Sequence, residues 1–259
     1  MSVVIKYGGN AMTGSSATDA LQQLAHEIAQ LHLGGWRPVV VHGGGPQISE
    51  MMARRGKQPE FRNGLRVTDA ETIDIVRSAL VEHINPQLVA AINAQVPRAV
   101  GISGEEFILA NMRDPELGFV GDISAVDAAP LGELLDNDSI PVVAPLGAGA
   151  DGQPYNINAD VVAGAIAAEL GSQRLVYLTD IEGLRRDVSD AASLIHETTA
   201  DELALMLADG LIADGMIPKV QSCIDAVRAG VAQAHILDGR VPGVLRSLFD
   251  DAQVGTVVR

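Results

Sequence analysis

Four short segments of the chain combine residue types that can hold an anionic substrate against a nucleotide phosphate: KYGGNAM from Lys6 to Met12, VHGGGP from Val41 to Pro46, RNGLRVTD from Arg62 to Asp69, and NINAD from Asn156 to Asp160. Among their residues are two glycine loops, Arg66, Asn156 and Asn158, the Asp160 carboxylate and Lys6. The chemistry such a set serves is phosphoryl transfer, in which catalysis comes from positioning and from cations placed where negative charge develops.

Lys6 ends a β-branched run and precedes Gly8 and Gly9, which remove side chains where phosphate oxygens must approach backbone N–H groups. Its ammonium could neutralise the phosphate in transfer, although an exposed lysine before a tight turn is an equal reading of this segment alone. Gly43, Gly44 and Gly45 follow a second β-branched run and precede a helix, so the backbone there is open at the helix's positive end. His42 beside them reads as a hydrogen-bonded scaffold residue and not as a base. Arg66 follows an Asn63-Gly64 turn, and its guanidinium suits forked recognition of a carboxylate. Arg62 is its less secure neighbour, and for either the plain alternative is a solvated hairpin charge. Asn156 and Asn158 could project together from an extended segment, their amides available to substrate oxygens. Asp160 falls in the first turn of the next helix, where a carboxylate is also an ordinary cap. Lys219, just after Pro218 at another helix start, could meet phosphate charge or sit at the surface.

Two further patterns are decoys or absences. Gly147-Ala148-Gly149-Ala150-Asp151-Gly152 fits GxGxxG, but Gln153-Pro154-Tyr155 follows where a dinucleotide fingerprint needs a helix, so a hairpin loop is expected. GxxxxGK[ST] occurs nowhere, so ATP use would have to rest on a different phosphate loop.

The elements that must position these residues follow from hydrophobic period. Short β-branched runs alternate with amphipathic stretches, the pattern of an α/β fold with crossover-connected parallel strands. Strands are expected over 2–7, 38–41, 98–102, 107–112, 119–126, 140–146, 176–179, 234–237 and 255–258, with antiparallel members in the middle of the chain. Helices are expected over 17–33, 47–55, 69–94, 159–170, 200–208, 217–229 and 243–249. Asp69 is placed to cap its helix, with Ile73, Val76 and Leu80 facing inward. Both early glycine clusters then sit at strand-to-helix turns, the end of a parallel sheet where ligands bind.

At 259 residues and 47% hydrophobic, the chain can bury a full core as one large domain or two joined lobes. A formal net charge of −15 argues against nucleic-acid binding, which leaves a footprint of clustered Lys and Arg. One cysteine, Cys223, cannot form an internal disulfide, and the opening SVVIKYGG is not a secretion signal, so a cytoplasmic location is expected. No apolar run approaches the roughly 20 residues that span a bilayer, and no membrane partner is expected.

KYGGNAM, VHGGGP, NGLRVTD, NINAD and DGMIPKV, in this order and spacing, resemble the acetylglutamate kinases of the amino acid kinase family across essentially the whole chain. The resemblance implies a three-layer α/β/α sandwich around a mainly parallel eight-stranded open sheet. It implies phosphorylation of the side-chain carboxylate of N-acetyl-L-glutamate by MgATP in arginine biosynthesis, with Mg2+ held by phosphates and water and no protein metal ligand. Lys6 and Lys219 would be transition-state lysines oriented by Asp160. Gly44, Gly45, Arg66 and Asn156 would hold N-acetylglutamate, with Asn158 close by. Gly8 and Gly9, like Gly44 and Gly45, would donate backbone N–H groups, and Asp180, Ile181, Glu182, Gly183, Leu184, Leu211, Ile212 and Ala213 would lie on the nucleotide. On this view residues 1–172 take the acyl amino acid and 173–259 the nucleotide, within one domain of 1–259.

Arginine-inhibited members of that family carry an extra N-terminal helix, whereas Lys6 lies close to Met1, so an arginine-insensitive homodimer is expected, with the 69–94 helical region as a candidate dimer face. Two rival readings stand beside this one. The acceptor could be a carrier-linked glutamate or aminoadipate or another small carboxylate, or the chain could be a silent nucleotide or amino-acid sensor. NGLRVTD argues against the first, and the retention of Lys6, Lys219 and Asp160 argues against the second.

Overall fold

A computed structural model of the chain describes residues 1–8, 17–187, 189–212, 216–250 and 252–259. Its N-terminal part runs β1 (Ser2–Tyr7), α1 (Ala17–Leu33), β2 (Arg37–His42), α2 (Gly45–Arg54), the two-residue strands β3 (Phe61–Arg62) and β4 (Leu65–Arg66), and α3 (Ala70–Arg77). A π-helical segment, Ser78–Ile84, joins α3 to α4 (Asn85–Gln95). Then come β5 (Ala99–Ser103), β6 (Ile108–Met112), β7 (Gly121–Val126), α5 (Ala129–Asp136), β8 (Ile140–Ala144), β9 (Leu146–Ala148), β10 (Pro154–Asn156) and α6 (Ala159–Glu169). The remainder is β11 (Arg174–Thr179), β12 (Glu197–Thr198), α7 (Ala200–Ala208), α8 (Ile217–Arg228), β13 (Gln233–Asp238), α9 (Val244–Phe249) and β14 (Thr256–Val258).

Eight strands form one sheet in the order β12-β14-β13-β11-β1-β2-β8-β5, parallel throughout except for the β13–β14 pair. Both faces are apolar and both are covered, as a parallel sheet requires. The alternation is explicit along each strand. Val3, Ile5 and Tyr7 of β1, Val40 of β2 and Val176 and Leu178 of β11 join the core under α1, α4 and α9. Val4, Val39, Val41, Leu175 and Tyr177 join the opposite core under α5, α6, α7 and α8. β1 is the switch point: the chain adds β2, β8 and β5 on one side, then returns to add β11, β13, β14 and β12 on the other. Crevices at the carboxyl end of such a strand are where open α/β sheets bind ligands.

A second sheet, β10-β9-β6-β7, contains the antiparallel pairs expected of the middle region. The single strand expected over 140–146 is in fact two. Pro145 has no N–H to continue a ladder, so Ile140–Ala144 pairs with β2 and β5 while Leu146–Ala148 crosses to the smaller sheet. The GxGxxG segment lies on the β9–β10 hairpin, as expected of a loop and not of a dinucleotide turn. Helix α5 was not separated out by its sequence pattern, and the helical region expected over 69–94 contains the π-helical segment between α3 and α4.

Candidate active site

Period-2 alternation decides where Lys6 goes. It shares the face of Val4, and the register sets it beside Tyr177 of β11, so its side chain meets the layer of α6 and α8. There it reaches Asp160. Lys6 Nζ lies 2.8 Å from Asp160 Oδ1, and Lys219 Nζ lies 2.9 Å from Oδ2. The Lys219 and Asp160 residues are 5% and 8% exposed, so their charges are shielded from water; Lys6 and Asp160 line a cleft, whereas Lys219 is not among its lining residues. One carboxylate thus orients two ammonium groups through a separate oxygen each.

Asp160 is not the helix cap. Asn158 takes that place, its Oδ1 accepting from the Asp160 N–H at 2.8 Å, which leaves the Asp160 carboxylate to the lysines. Further support comes from residues the sequence reading did not single out. The Asp160 carbonyl accepts from Tyr177 Oη at 3.1 Å and from Ser222 Oγ at 2.8 Å, and Lys219 Nζ stands 4.9 Å from the Tyr177 ring centroid. A Cβ at Gly164 would lie 2.2 Å from Ser222 Oγ, so α6 and α8 can approach this closely only with glycine there. No motif in the sequence marks these partners, since strand tyrosines and helix serines are ordinary core residues.

The electrostatics follow from burial and pairing. Burial by itself would raise the Asp160 carboxyl, but Lys6 and Lys219 outweigh it and hold it at about 2. Burial lowers Lys219 from its ordinary value, with Asp160 opposing. His42 is fully buried and lowered to about 4 by desolvation, so it is a neutral scaffold residue, as the sequence implied.

Facing this group across about 300 Å³ of space are Gly44, Gly45, Arg66, Asn156 and Asn158, with Gly8 and Asp180 at the rim of the same cleft. Gly45 opens α2 with Pro46, the arrangement of a helix N-terminus able to take an anion. Arg66 is carried on the β3–β4 hairpin, where Asn63 and Gly64 both have positive φ, the two-residue turn that Asn-Gly favours. Its Nη2 donates to the Gly45 carbonyl at 3.0 Å and to Ser49 Oγ at 2.8 Å, its Nη1 meets Met52 Sδ, and the guanidinium lies over Phe61. Both terminal nitrogens are therefore engaged within this wall. Asn156 Nδ2 donates to Thr68 Oγ1 at a long 3.4 Å. Arg62 points away, to Glu60 and Glu116 on the surface.

The expectation for Gly8 needs correction. The Gly8 N–H donates to the Leu178 carbonyl at 3.1 Å, so it is not the available donor expected of it; what glycine supplies is room, since a Cβ would stand 3.0 Å from that same oxygen. Of the segment expected on the nucleotide, Asp180 lines this cleft whereas Ile181, Glu182, Gly183, Leu184, Leu211 and Ile212 do not. Gly183 and Leu184 also anchor the segment: the Leu184 N–H donates to Thr256 Oγ1, and a Cβ at Gly183 would meet that hydroxyl at 2.6 Å. Gly9 and Ala213 lie outside the described residues, as do Asn10 and the Asp214-Gly215 start of DGMIPKV. Apolar cleft residues that carried no chemical signal, among them Phe61, Leu65, Leu80 and Ile157, complete the walls.

A mainly parallel sheet clad on both faces, with two lysines and a carboxylate gathered beside its switch strand, defines a phosphotransferase that works on small molecules. The chain belongs to the amino acid kinase family, whose family model matches residues 1–238. An acetylglutamate kinase of Symbiobacterium thermophilum is 47% identical over 268 residues, covering 99% of this chain and 90% of that protein. An acetylglutamate kinase of Jannaschia sp. is 48% identical over 260 residues, covering 99% and 89%. Among solved structures, N-acetylglutamate synthase of Neisseria gonorrhoeae, complexed with coenzyme A and N-acetyl-glutamate, superposes with a TM-score of 0.85 at 26% identity. That match covers 99% of this chain and 59% of the synthase, so the chain spans well under two thirds of that enzyme.

Proposed function

We propose that the chain transfers the terminal phosphoryl group of ATP to the side-chain carboxylate of N-acetyl-L-glutamate, giving N-acetyl-L-glutamyl 5-phosphate and ADP, a step of arginine biosynthesis. Membership of the family and near-full-length identity to acetylglutamate kinases support the reaction. The observation that carries it in this chain is Asp160 holding Lys6 and Lys219 at the edge of a cleft lined by Gly44, Gly45 and Arg66.

The nucleophile is a carboxylate already ionised near neutral pH, so no general base is required. The difficulty is bringing anions together, and the answer is positioning and positive charge. In this reading the Gly44 and Gly45 N–H groups, Arg66 and Asn156 hold the acyl amino acid with Asn158 near. Lys6 and Lys219 meet the charge on the phosphoryl group and on the leaving oxygens. Asp160 keeps both ammonium groups in place so that little reorganisation accompanies reaction. Magnesium enters with ATP, held by phosphate oxygens and water. Asp160 fits an orienting role better than that of a metal ligand, because each of its oxygens is already taken by a lysine. Residues 1–172 would carry the acyl amino acid, and the nucleotide would lie over 173–259 beyond Asp180.

We further propose a homodimer working in the cytoplasm. Light scattering tests the dimer; a monomer or a hexamer would refute it. The reaction itself is tested by trapping acyl phosphate with hydroxylamine in the presence of MgATP. Product from N-acetyl-L-glutamate but not from glutamate, aspartate or N-acetylaminoadipate is expected. Product from none of them, with ATP still bound, would move the assignment to a carrier-linked acceptor or a sensor.

A further inference from the structure

His42 shares the face of Val40 on β2 and so turns away from Lys6, toward the layer of α3, the π-helical segment and α4. In that layer it meets Asn85, the first residue of α4. Asn85 Nδ2 lies 2.8 Å from the Val142 carbonyl and 3.2 Å from His42 Nε2, while His42 Nδ1 lies 3.0 Å from the Gly43 carbonyl. These three contacts allow only one arrangement of hydrogens. A carbonyl can only accept, so Val142 fixes Nδ2 as the Asn85 atom on this side and the Gly43 carbonyl fixes the proton on His42 Nδ1. His42 Nε2 is then a bare acceptor, which the second Nδ2 hydrogen of Asn85 satisfies. Burial keeps the ring neutral, which this arrangement needs.

The consequence lies on the other side of the peptide bond. None of the described peptide bonds is cis, and in a trans peptide the N–H points opposite to the C=O. With the Gly43 carbonyl drawn to the buried ring, the Gly44 N–H is directed the other way, toward the cleft that Gly43 and Gly44 line. It has no acceptor among the described residues, whereas the Gly43 N–H is already given to the Tyr7 carbonyl at 2.9 Å. We propose that His42 and Asn85 form a buried relay that sets the Gly43–Gly44 peptide so that its N–H is presented to the anionic acceptor substrate. His42 and Asn85 are thus positioning residues, neither of which lines the cleft.

The surrounding sequence is shaped to the relay. A Cβ at Gly101 on β5 would stand 2.2 Å from Asn85 Oδ1, so glycine there admits the amide. The π-helical segment ends immediately before Asn85, and its Leu80 and Ile84 press on Gly44, where a Cβ would meet their side chains at 2.7 and 2.6 Å. Departures from α-helical winding are common at functional sites because they re-aim the residues that follow.

The inference rests on the reaction proposed above, so its test carries one readout that needs no substrate. Nitrogen-15 NMR of His42 in the intact protein at neutral pH is expected to show the neutral Nδ1–H tautomer; the Nε2–H tautomer would overturn the relay whatever the reaction proves to be. Steady-state kinetics then compare His42→Leu, His42→Asn and Asn85→Ala. Losing one donor to a charged group is expected to raise KM for N-acetyl-L-glutamate by about tenfold or more in His42→Leu and Asn85→Ala, with KM for ATP changed far less. His42→Asn, whose amide can donate from near the Nδ1 position, is expected to recover most of the loss. Equal rises in both KM values, or His42→Asn as impaired as His42→Leu, would reduce the pair to packing. A wild-type enzyme that forms no acyl phosphate from N-acetyl-L-glutamate would sink the proposed reaction, while the tautomer would still decide the relay.

Discussion

One wall of the cleft carries its charge on Lys6 and Asp160, with Lys219 locked to the same carboxylate from outside the lining, each on a different element of the fold. The facing wall offers the backbone of a glycine turn and one arginine on a hairpin whose strands are two residues long. The first is built into the sheet switch point and the α6–α8 contact, and it cannot move without opening a core. The second is tied down by single hydrogen bonds from Arg66 to Gly45 and Ser49, beside a Phe61 that is 53% exposed. The contrast teaches how the work is divided. In the proposed reaction the fixed cations would stabilise a charge distribution that exists only during transfer, whereas the hairpin arginine would hold a ground-state ligand.

The largest expected effect falls on the rigid wall. Lys6→Ala or Lys219→Ala should lower kcat by about 10²–10³-fold, the usual cost of removing one preorganised electrostatic group, with smaller changes in KM. Arg66→Ala should instead raise KM for the acyl amino acid by about tenfold to a hundredfold, as for one lost charged hydrogen-bonding group. Kinetics giving the opposite split would erase the proposed division.

The comparison sharpens with pH. Burial lowers the Lys219 pKa, so the cationic form should be lost, and kcat/KM should fall, at a lower pH than for an ordinary lysine. Bound phosphate favours the ammonium, so the alkaline limb of kcat should lie above that of kcat/KM. Identical limbs in the Lys219→Arg variant would remove Lys219 as their source.

The smallest effect belongs beside the hairpin. Asp69 caps α3 by accepting from the Thr72 N–H at 2.9 Å, and Asp69→Ala should cost about 1 kcal/mol of stability, read from denaturant unfolding. Lys57 first, then Thr72, depresses the Asp69 pKa to about 2. A depressed carboxyl stabilises fully above its unfolded pKa, so the wild-type advantage should hold above about pH 4 and fade as pH falls toward 2. An advantage that grows on acidification would show that the cap is not the ionised carboxylate.

Much of this was legible because it is local. Strands β1 and β2 and helix α1, with the glycine turn at Gly43 to Gly45, follow from period and punctuation. The Asn63-Gly64 hairpin and the Asp69 cap follow from the chemistry of those residues. Other features were hidden because they depend on partners far along the chain. Asp160 read as well as a cap as it did as an active carboxylate, and only the placement of Asn158 at the cap and of two distant lysines on its oxygens separates the readings. Pro145 was visible, but its effect, sending one run of residues into two sheets, required knowing which neighbours each half would find.

The class of fold, the strand-to-helix turn that carries Gly43 to Gly45 and the set of residue types able to manage phosphate charge can be read locally, because these depend on neighbours within a few positions. Which donors remain available depends on contacts that form only on folding. Gly8 gives its N–H to Leu178, Arg66 spends two bonds on its own wall, and His42 turns the Gly43 carbonyl inward, each through a contact made by folding. A hydrogen bond to a remote strand or helix leaves no trace in local spacing, and in a buried site it decides what a residue has left to offer a substrate.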